Sequence, residues 1–201
     1  MPRHINPEVE GRILEAARKL WRKGGEKALN MRAVAKAAGT NTPAVYRRFR
    51  NREDILRAVV RSYQQELLAE LQPCRSLQQV ARVYLDFALR RPREYQLIMS
   101  GLLAKMSKSR PSLNFVVDQA SAWLGGRLGD HRALVYAMAA LADGTAMFTI
   151  TGFLPEEDFP VLHTAFAKAV EVLVANEEKF RDQLPKEGDG KRPKATGRGS
   201  S

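Results

Sequence analysis

Apolar residues near the start of the chain recur every three or four positions, the spacing of one face of an α-helix. The pattern predicts a first helix from about Pro7 to Lys23, and the Gly24-Gly25 pair that follows is typical of a helix end. The predicted inner face consists of Ile13, Leu14, Ala16, Ala17, Leu20 and Trp21.

Two short helices are predicted next, separated by a glycine. Asn30 is a typical N-cap for the first of them, and Gly39 suits the left-handed position at which that helix stops. Asn41 caps the second helix, and Pro43 lies in its first turn, where the missing N–H costs nothing. The inner face of the first short helix consists of Met31, Val34, Ala35 and Ala38.

The second short helix and the long helix after it complete a recognisable motif. Val45 and Phe49, one turn apart, are predicted to face inward. Asn51 then caps a helix that runs from Arg52 until Pro73 stops it. Two short helices joined by a glycine turn and followed by a third are the layout of a helix-turn-helix, whose second helix enters the major groove of DNA.

The rest of the chain has helical patterns and no alternating strand pattern. The sequence therefore predicts an all-α fold, with a three-helix helix-turn-helix head followed by a larger helical domain. Residues 185–201 are rich in Lys, Gly, Pro and Ser and are predicted to form a disordered basic tail. Further helices are predicted at about 76–91, from Pro92, at 113–128, at 131–151 and at 156–183, with a loop at 105–112.

The net charge of +11 is unevenly distributed. Residues 1–60 hold 14 Lys and Arg against 6 Asp and Glu, whereas residues 61–180 hold 13 of each. Residues 181–201 hold 6 against 3. The excess therefore lies with the helix-turn-helix and the tail, as a phosphate-binding module attached to a neutral body requires.

Composition narrows the class of protein further. No uninterrupted run of about 18 apolar residues indicates a membrane span, and the first residues lack the apolar segment of a secretory signal, so we expect a cytoplasmic protein. Cys74 is a lone cysteine, and neither it nor the three histidines have metal-ligand spacing. No metal or other cofactor is expected.

The second short helix carries the candidate chemistry. With Val45 and Phe49 inward, a helical wheel places Arg47 outward, where its guanidinium can bind guanine O6 and N7. Ala44 and Thr42 suit thymine methyl groups, and Tyr46 and Arg48 are placed to reach phosphates, while the flanking helix N-termini offer free N–H groups. An ordinary solvated charged face is the alternative. The predicted DNA-binding residues are Asn30, Arg32, Asn41, Thr42, Pro43, Ala44, Tyr46, Arg47, Arg48 and Arg52.

Roughly the first 56 residues resemble the N-terminal signature of TetR-type (tetracycline-repressor-like) transcriptional regulators. The residues that carry this resemblance are Arg12-Ile13-Leu14, Ala16-Ala17, Leu20-Trp21, Gly25, Val34-Ala35, Ala38-Gly39, Val45-Tyr46, Phe49 and Asn51-Arg52-Glu53 through Leu56. The resemblance implies an all-helical homodimer with a C-terminal ligand-binding and dimerisation domain.

Roles for individual residues follow from the same resemblance. It implies that Tyr46 contacts phosphate, that Thr42 to Arg47 read bases, and that Arg52 holds the DNA backbone. The implied domains are a DNA-binding head at 1–51 and a body at 52–184, of which 52–72 is the linking helix. The chain departs from the family pattern at two positions. Leu29 stands where the family usually has Thr, and Pro43 stands early in the recognition helix, where Gly is frequent. Both departures make the operator hard to infer by analogy.

Large apolar and aromatic side chains of the body are candidates to line a ligand pocket, although for each residue taken individually the core is the favoured alternative. Asp143, an acid on an apolar helix, is expected either to bind ligand or to satisfy a backbone or hydroxyl group. The candidate pocket residues are Tyr63, Tyr84, Phe87, Tyr95, Met99, Phe115, Trp123 and Asp143.

The last two predicted helices are candidates for contact between subunits, because small residues allow close helix approach in a four-helix interface. Burial within one protomer is the alternative. The candidate interface residues are Ala139, Ala142, Ala146, Val161, Ala165, Ala169 and Val172.

The leading hypothesis is a homodimeric repressor that binds a pseudo-palindromic operator in double-stranded DNA and is released by a largely apolar small molecule. No nucleophile and base motif, phosphate-cradling loop or metal set supports a helical enzyme with a basic targeting head. A basic adaptor that binds an acidic protein is the remaining alternative. No membrane partner is expected.

Overall fold

The computed structural model describes residues 7–99 and 110–181. These residues form helices without any β-strand, so the predicted all-α fold is confirmed. Part of the predicted loop at 105–112 and the whole predicted tail at 185–201 lie outside the described residues. The helices are α1 (Pro7–Ala28), α2 (Met31–Ala37), α3 (Thr42–Tyr46), α4 (Arg52–Leu71), α5 (Leu77–Arg90), α6 (Pro92–Met99), α7 (Pro111–Leu124), α8 (Arg132–Thr151), α9 (Phe159–Ala175) and α10 (Glu178–Arg181), with a 3₁₀ turn at Glu156–Asp158.

The helix boundaries in the first 71 residues follow the predicted caps. The side chains of Asn30, Asn41 and Asn51 each accept a hydrogen bond from the backbone N–H three residues later, at 2.9 Å. Gly39 adopts φ +62°, the left-handed conformation expected of the residue that ends α2. These local interactions fix where α2, α3 and α4 begin.

Two predicted helices differ from the observed ones. A break at Gly25 (φ 58°, ψ −139°) interrupts α1, and one more turn continues to Ala28. The single helix predicted for 156–183 is divided into a 3₁₀ turn, α9 and α10. The break after α9 is at Asn176, whose side-chain amide donates to the carbonyl of Val172 at 2.9 Å and so competes with helical bonding.

Helix α4 joins the two parts of the molecule. It packs against α1 in the head and against α5, α6 and α7 in the body. Its buried side chains therefore belong to one apolar core that runs from the head into the body. The buried residues of α4 are Ile55, Leu56, Val59, Val60, Tyr63, Leu67 and Leu71.

Helix α8 is strongly apolar and packs against several other helices. Among the described residues it is the one helix long and apolar enough to cross a membrane, although no uninterrupted apolar run marks it in the sequence. One side of α8 packs against α5, and it also contacts α7, α9 and α10. Its remaining apolar side chains include Tyr136 and Phe148, which are exposed.

Candidate DNA-binding surface and ligand cavity

Helix α3 is held by its inner face and presents the opposite face to solvent. Val45 has no exposed surface and Phe49 is 6% exposed, which confirms the predicted inward pair. On the opposite side Pro43 and Arg47 are exposed, and 54% of Tyr46 is accessible. The phenol of Tyr46 and the guanidinium of Arg47 thus lie on one outward surface, as the helical wheel predicts.

This outward surface is positively charged. Arg32 and Lys36 of α2, Arg47 after α3, and Arg50 before α4 are all exposed. Within residues 7–99 and 110–181, none of these four side chains forms an ion pair with a carboxylate. Exposed guanidinium and ammonium groups without a carboxylate partner attract a phosphate backbone. We call this set of four residues the basic face.

Two of the predicted contacts face the protein instead. Ala44 is only 5% exposed, so it has little surface to offer a thymine methyl group. Arg48, one turn later, is half-buried and donates from Nη1 to the carbonyl of Ala44 at 3.2 Å. Helix α3 is only five residues long, and its inward side is wider than the wheel through Val45 and Phe49 suggests.

Arg52, which the resemblance assigns to the DNA backbone, has hydrogen-bond partners within the head. Its Nε donates to the carbonyl of Leu29 at 2.8 Å, and its Nη2 donates to the carbonyl of Glu26 at 3.1 Å. Its Nη1 lies 3.1 Å from the Glu26 carboxylate. These bonds tie the start of α4 to the last turn of α1 and to Leu29, which follows it. Leu29 itself is buried at 1% exposure, so the residue that replaces the usual Thr serves the core.

A cavity of about 270 Å³ lies in the body, between α4, α5, α7 and α8 and the C-terminal end of α6. Most of its walls are apolar, as expected of a small-molecule site. We call it the body cavity. Its lining residues are Gln64, Leu67, Leu71, Leu77, Val80, Ala81, Tyr84, Ile98, Met99, Arg110, Ser112, Leu113, Val116, Val135, Met138, Ala139, Ala142 and Asp143.

Asp143 is the acidic group of the cavity wall. Its Oδ1 accepts a hydrogen bond from the hydroxyl of Tyr84 at 2.6 Å and another from the hydroxyl of Tyr95. The two rings meet edge to face, with centroids 6.2 Å apart. Burial raises the pKa of both hydroxyls; the Asp143 charge raises that of Tyr84 further, and Tyr84 and Asp143 raise that of Tyr95. Both phenols therefore remain hydrogen-bond donors to Asp143.

Helix α6 contacts the body cavity at one end and the head at the other. At its C-terminal end Ile98 and Met99 line the cavity. At its N-terminal end the carbonyl of Arg93 accepts from the indole Nε1 of Trp21 at 3.0 Å, and the Arg93 guanidinium donates to the carbonyl of Arg22. These contacts join residues more than 70 positions apart, so the spacing of residues in the sequence could not reveal them.

The N-terminal part of the chain matches a known family model. Residues 13–59 match the bacterial regulatory proteins of the tetR family. The matched segment includes α2, α3, the basic face and the caps described above. The helix-turn-helix head of this chain is therefore similar to that of the tetR family. The match falls on the segment that the sequence predicts to bind DNA.

Several solved structures share the fold of both the head and the body of this chain. One is a TetR variant from Acinetobacter baumannii AYE in complex with minocycline (18% identity, TM-score 0.64, covering 86% of this chain and 97% of that chain). A second is the multidrug binding protein EbrR complexed with ethidium (20%, 0.59, 84% and 99%). A third is BioQ of Mycobacterium smegmatis (18%, 0.61, 85% and 98%). No curated protein sequence matches significantly.

The predicted pocket residues occupy three kinds of place. Tyr84, Met99 and Asp143 line the body cavity, and Tyr95 supports Asp143 by its hydrogen bond. Four others are not among the lining residues: Tyr63 donates to Glu94 in the core at 3.3 Å, Phe87 is buried, and Phe115 and Trp123 are half-buried against the core. Missing from the prediction were the aliphatic side chains of the wall, because any core helix has such residues.

The predicted interface residues include both buried and exposed side chains. Ala142 and Ala146 are 2% and 0% exposed, so they are packed inside the protomer and offer little or no surface to a second chain. Ala139 lines the body cavity. On α9, Ala169 is half-buried, whereas Val161, Ala165 and Val172 are exposed. The exposed side of α8 carries Tyr136, Ala140 and Phe148, one helical face away from the alanines that the sequence analysis selected.

The remaining candidates, the possible metal ligands, Cys74 and His131, show no sign of a further site in the part of the chain that the structure describes. No cluster of metal-ligating side chains occurs in the described residues. Cys74 is buried, and burial raises the pKa of its thiol, which lowers its reactivity. His131 has no exposed surface, and its Nε2 lies 2.7 Å from the carbonyl of Gly125, so it is a packing residue.

Proposed function

We propose that this chain is a TetR-type regulator, a homodimeric repressor that leaves a pseudo-palindromic operator when a small molecule binds the body cavity. The observation that carries the proposal is the position of α6. One end of this helix lines the cavity, and the other end is hydrogen-bonded to α1 of the head. A ligand that moves α6 would therefore move the head, and such a coupling is typically worth 1–3 kcal/mol, or about 5- to 150-fold in affinity.

The DNA-binding role is supported by the basic face and by the outward side of α3. We propose that Arg47 reads bases, that Tyr46 donates its hydroxyl to a phosphate, and that Arg32 contacts the backbone. In this proposal residues 1–51 are the DNA-binding head and residues 52–184 the ligand-binding and dimerisation body. The regulator would act in the cytoplasm, where bacterial DNA is accessible.

The dimer is supported by an apolar surface on α8 and α9. Tyr136, Phe148, Val161 and Val172 are between 41% and 68% exposed, an unusual number of large apolar side chains for two adjacent helices. Two such helices from each protomer would form a four-helix interface. We call this surface the α8–α9 face. A two-fold axis there would place two copies of α3 in successive major grooves.

The chemistry of the body cavity indicates the kind of effector. Its walls suit an apolar body, and Oδ1 of Asp143 already accepts two phenol hydroxyls. We propose that the remaining carboxylate oxygen binds a cationic or N–H donor group of the effector, because a charged hydrogen bond is the strongest compensation for desolvating a carboxylate. The fold accommodates ligands in other proteins, as the complexes of a TetR variant with minocycline and of EbrR with ethidium illustrate.

Selection of bound sites from random duplex DNA tests the DNA-binding proposal. We expect enrichment of a two-fold symmetric sequence by the wild-type protein. The Arg47→Ala variant is expected to bind more weakly and to tolerate more sequences at one position of each half-site. A pool without enrichment, or unchanged preference in the variant, would contradict the assignment.

Binding of ethidium, followed by its fluorescence, tests the effector chemistry. We expect Asp143→Asn to weaken binding roughly tenfold or more, because a charged partner becomes a neutral one. Asp118→Asn is the matched control, since Asp118 is an exposed acid on α7 outside the cavity. Equal effects of the two substitutions would show that Asp143 has no specific role.

A further inference from the structure

A second cavity, of about 510 Å³, lies at the opposite end of α6, where the head meets the body. Its walls come from α1, α4, the end of α5 and the start of α6. Five of the eight lining residues are arginines, and we call the site the arginine cleft. The lining residues are Arg18, Arg22, Tyr63, Arg90, Arg91, Pro92, Arg93 and Glu94.

Neighbouring groups hold these guanidinium groups in fixed positions. Glu70, which is not among the lining residues, contacts Arg90 Nη2 at 2.5 Å and Arg91 Nη1 at 3.0 Å. The Arg91 guanidinium also lies over the ring of Phe87, 4.5 Å from its centroid. The bonds from the two arginines lower the pKa of Glu70 despite its burial, so it stays charged. The two guanidinium groups are thus positioned before any ligand arrives.

The cleft has more positive than negative charge. Its five arginines contact four carboxylates among the described residues, and those carboxylates are Glu15, Glu66, Glu70 and Glu94. Arg93 contacts a backbone carbonyl of α1 and no carboxylate in the described part of the chain. Glu94 is shared between the hydroxyl of Tyr63 and Arg22 Nε. An anion in the cleft would therefore meet a positive site in which the acids are already bonded.

We propose that the arginine cleft binds a small phosphate-bearing metabolite. The planar guanidinium group donates two parallel hydrogen bonds to a phosphate, and arginine clusters are the usual means of holding one. A phosphate monoester carries about two negative charges near neutral pH, more than the excess of one that the cleft supplies, so displacement of one ion pair accompanies binding. A volume of about 510 Å³ leaves room for an organic group beside the phosphate.

The site is placed to affect the head directly. Arg22 belongs to α1 of the head, whereas Arg91 and Arg93 belong to the body, so a phosphate held by both sides cross-links them. The adjacent bond from Trp21 to the carbonyl of Arg93 is part of the same junction. A bound anion would thus stabilise the described arrangement of head and body. Binding itself does not depend on the repressor function proposed above, and it can be measured without DNA.

Isothermal titration of the full-length protein with pyrophosphate, at low ionic strength, tests the proposal. The test variant is Arg90→Gln with Arg93→Gln, because neither side chain is buried. The matched control is Arg82→Gln with Arg132→Gln, which removes the same charge from exposed positions outside the cleft. Arg47→Gln is a second control that removes a cation from the α3 surface. Citrate replaces pyrophosphate in a parallel titration.

We expect one pyrophosphate per chain, an increase in melting temperature on binding, and at least roughly tenfold weaker binding in the test variant alone. Far-ultraviolet circular dichroism of the unliganded variants confirms that each is folded. No measurable heat and no shift of melting temperature with the wild-type protein would overturn the proposal. Equal losses in the test and control variants, a loss confined to Arg47→Gln, or tighter binding of citrate would overturn it as well.

Discussion

Replacing Arg52 by glutamine distinguishes two roles for one residue. Family resemblance implies that Arg52 holds the DNA backbone, whereas in the structure its guanidinium binds the last turn of α1 and Leu29. The substitution removes the bonds to the carbonyls of Leu29 and Glu26, at 2.8 and 3.1 Å, and the ion pair with the Glu26 carboxylate. If the structural role is correct, the loss appears as instability of the head.

The magnitude can be worked out from the individual contacts. Each of the two bonds to a backbone carbonyl contributes about 1 kcal/mol net. The ion pair contributes little, because the Glu26 side chain is 77% exposed and water screens it. The expected loss is therefore about 2 kcal/mol of unfolding free energy. For a chain of this size each kcal/mol shifts the melting temperature by about 2–4 °C, so we expect a decrease of roughly 4–8 °C.

Two measurements are needed, thermal unfolding and the dependence of DNA affinity on salt. A residue that neutralises one phosphate contributes about one unit to the slope of log affinity against log salt. We expect Arg52→Gln to lower the melting temperature and leave this slope nearly unchanged. Arg47→Gln is the matched control: it should reduce affinity or specificity while the melting temperature stays within about 2 °C, because Arg47 has no ion pair within the described residues.

The opposite pattern would refute this reasoning. If Arg52→Gln lowered the salt slope by about one unit and unfolded at the wild-type temperature, Arg52 would be a phosphate contact. The hydrogen bonds to Glu26 and Leu29 would then have no measurable net contribution.

Three further predictions concern other parts of the chain. Val172→Arg on the α8–α9 face should shift the protein towards monomer in sedimentation velocity, whereas Leu128→Arg, 75% exposed outside that face, should not; equal behaviour would contradict the interface. The pKa of Glu70 is lower in the folded state than in the unfolded state, so its carboxylate stabilises the fold above the unfolded-state pKa and loses this effect as pH falls through the folded-state pKa. In Glu70→Gln, the unfolding free energy measured in urea should therefore decrease less steeply at acidic pH. An unchanged pH dependence would exclude a contribution of Glu70. Gly39→Ala should lower the unfolding free energy measured in urea by about 1 kcal/mol. The cause would be the φ of +62° alone, because an added Cβ would have no atom within 4 Å. An unchanged unfolding free energy would show that the turn relaxes to accept alanine.

The head was predictable where its structure depends on neighbouring residues. Asparagine caps and a glycine in the left-handed region act within four residues, so both partners of each interaction are visible in one short stretch of sequence. Differences arose where the pattern was too short. Five residues of α3 do not define a wheel well enough to separate the buried Ala44 from the exposed Tyr46.

The body was predictable in its elements and less so in its surfaces. Small residues along α8 indicate close helix packing, but they fit both a protomer core and a subunit interface. The structure buries Ala142 and Ala146 and exposes Tyr136 and Phe148. Which side of an apolar helix is covered depends on the helices that surround it, and those lie far away in sequence.

The sequence by itself determined the helical architecture, the caps of the head, its positive charge and its resemblance to tetR-family regulators. These follow from short-range periodicity, from local hydrogen bonds and from counting charges. Only the tertiary structure decided that Asp143 is held by two tyrosines, that Arg52 binds within the head, and that α6 lies between the body cavity and the arginine cleft. Each of these depends on side chains separated by more than 20 positions, whose meeting is determined by the packing of the whole core and not by any local pattern.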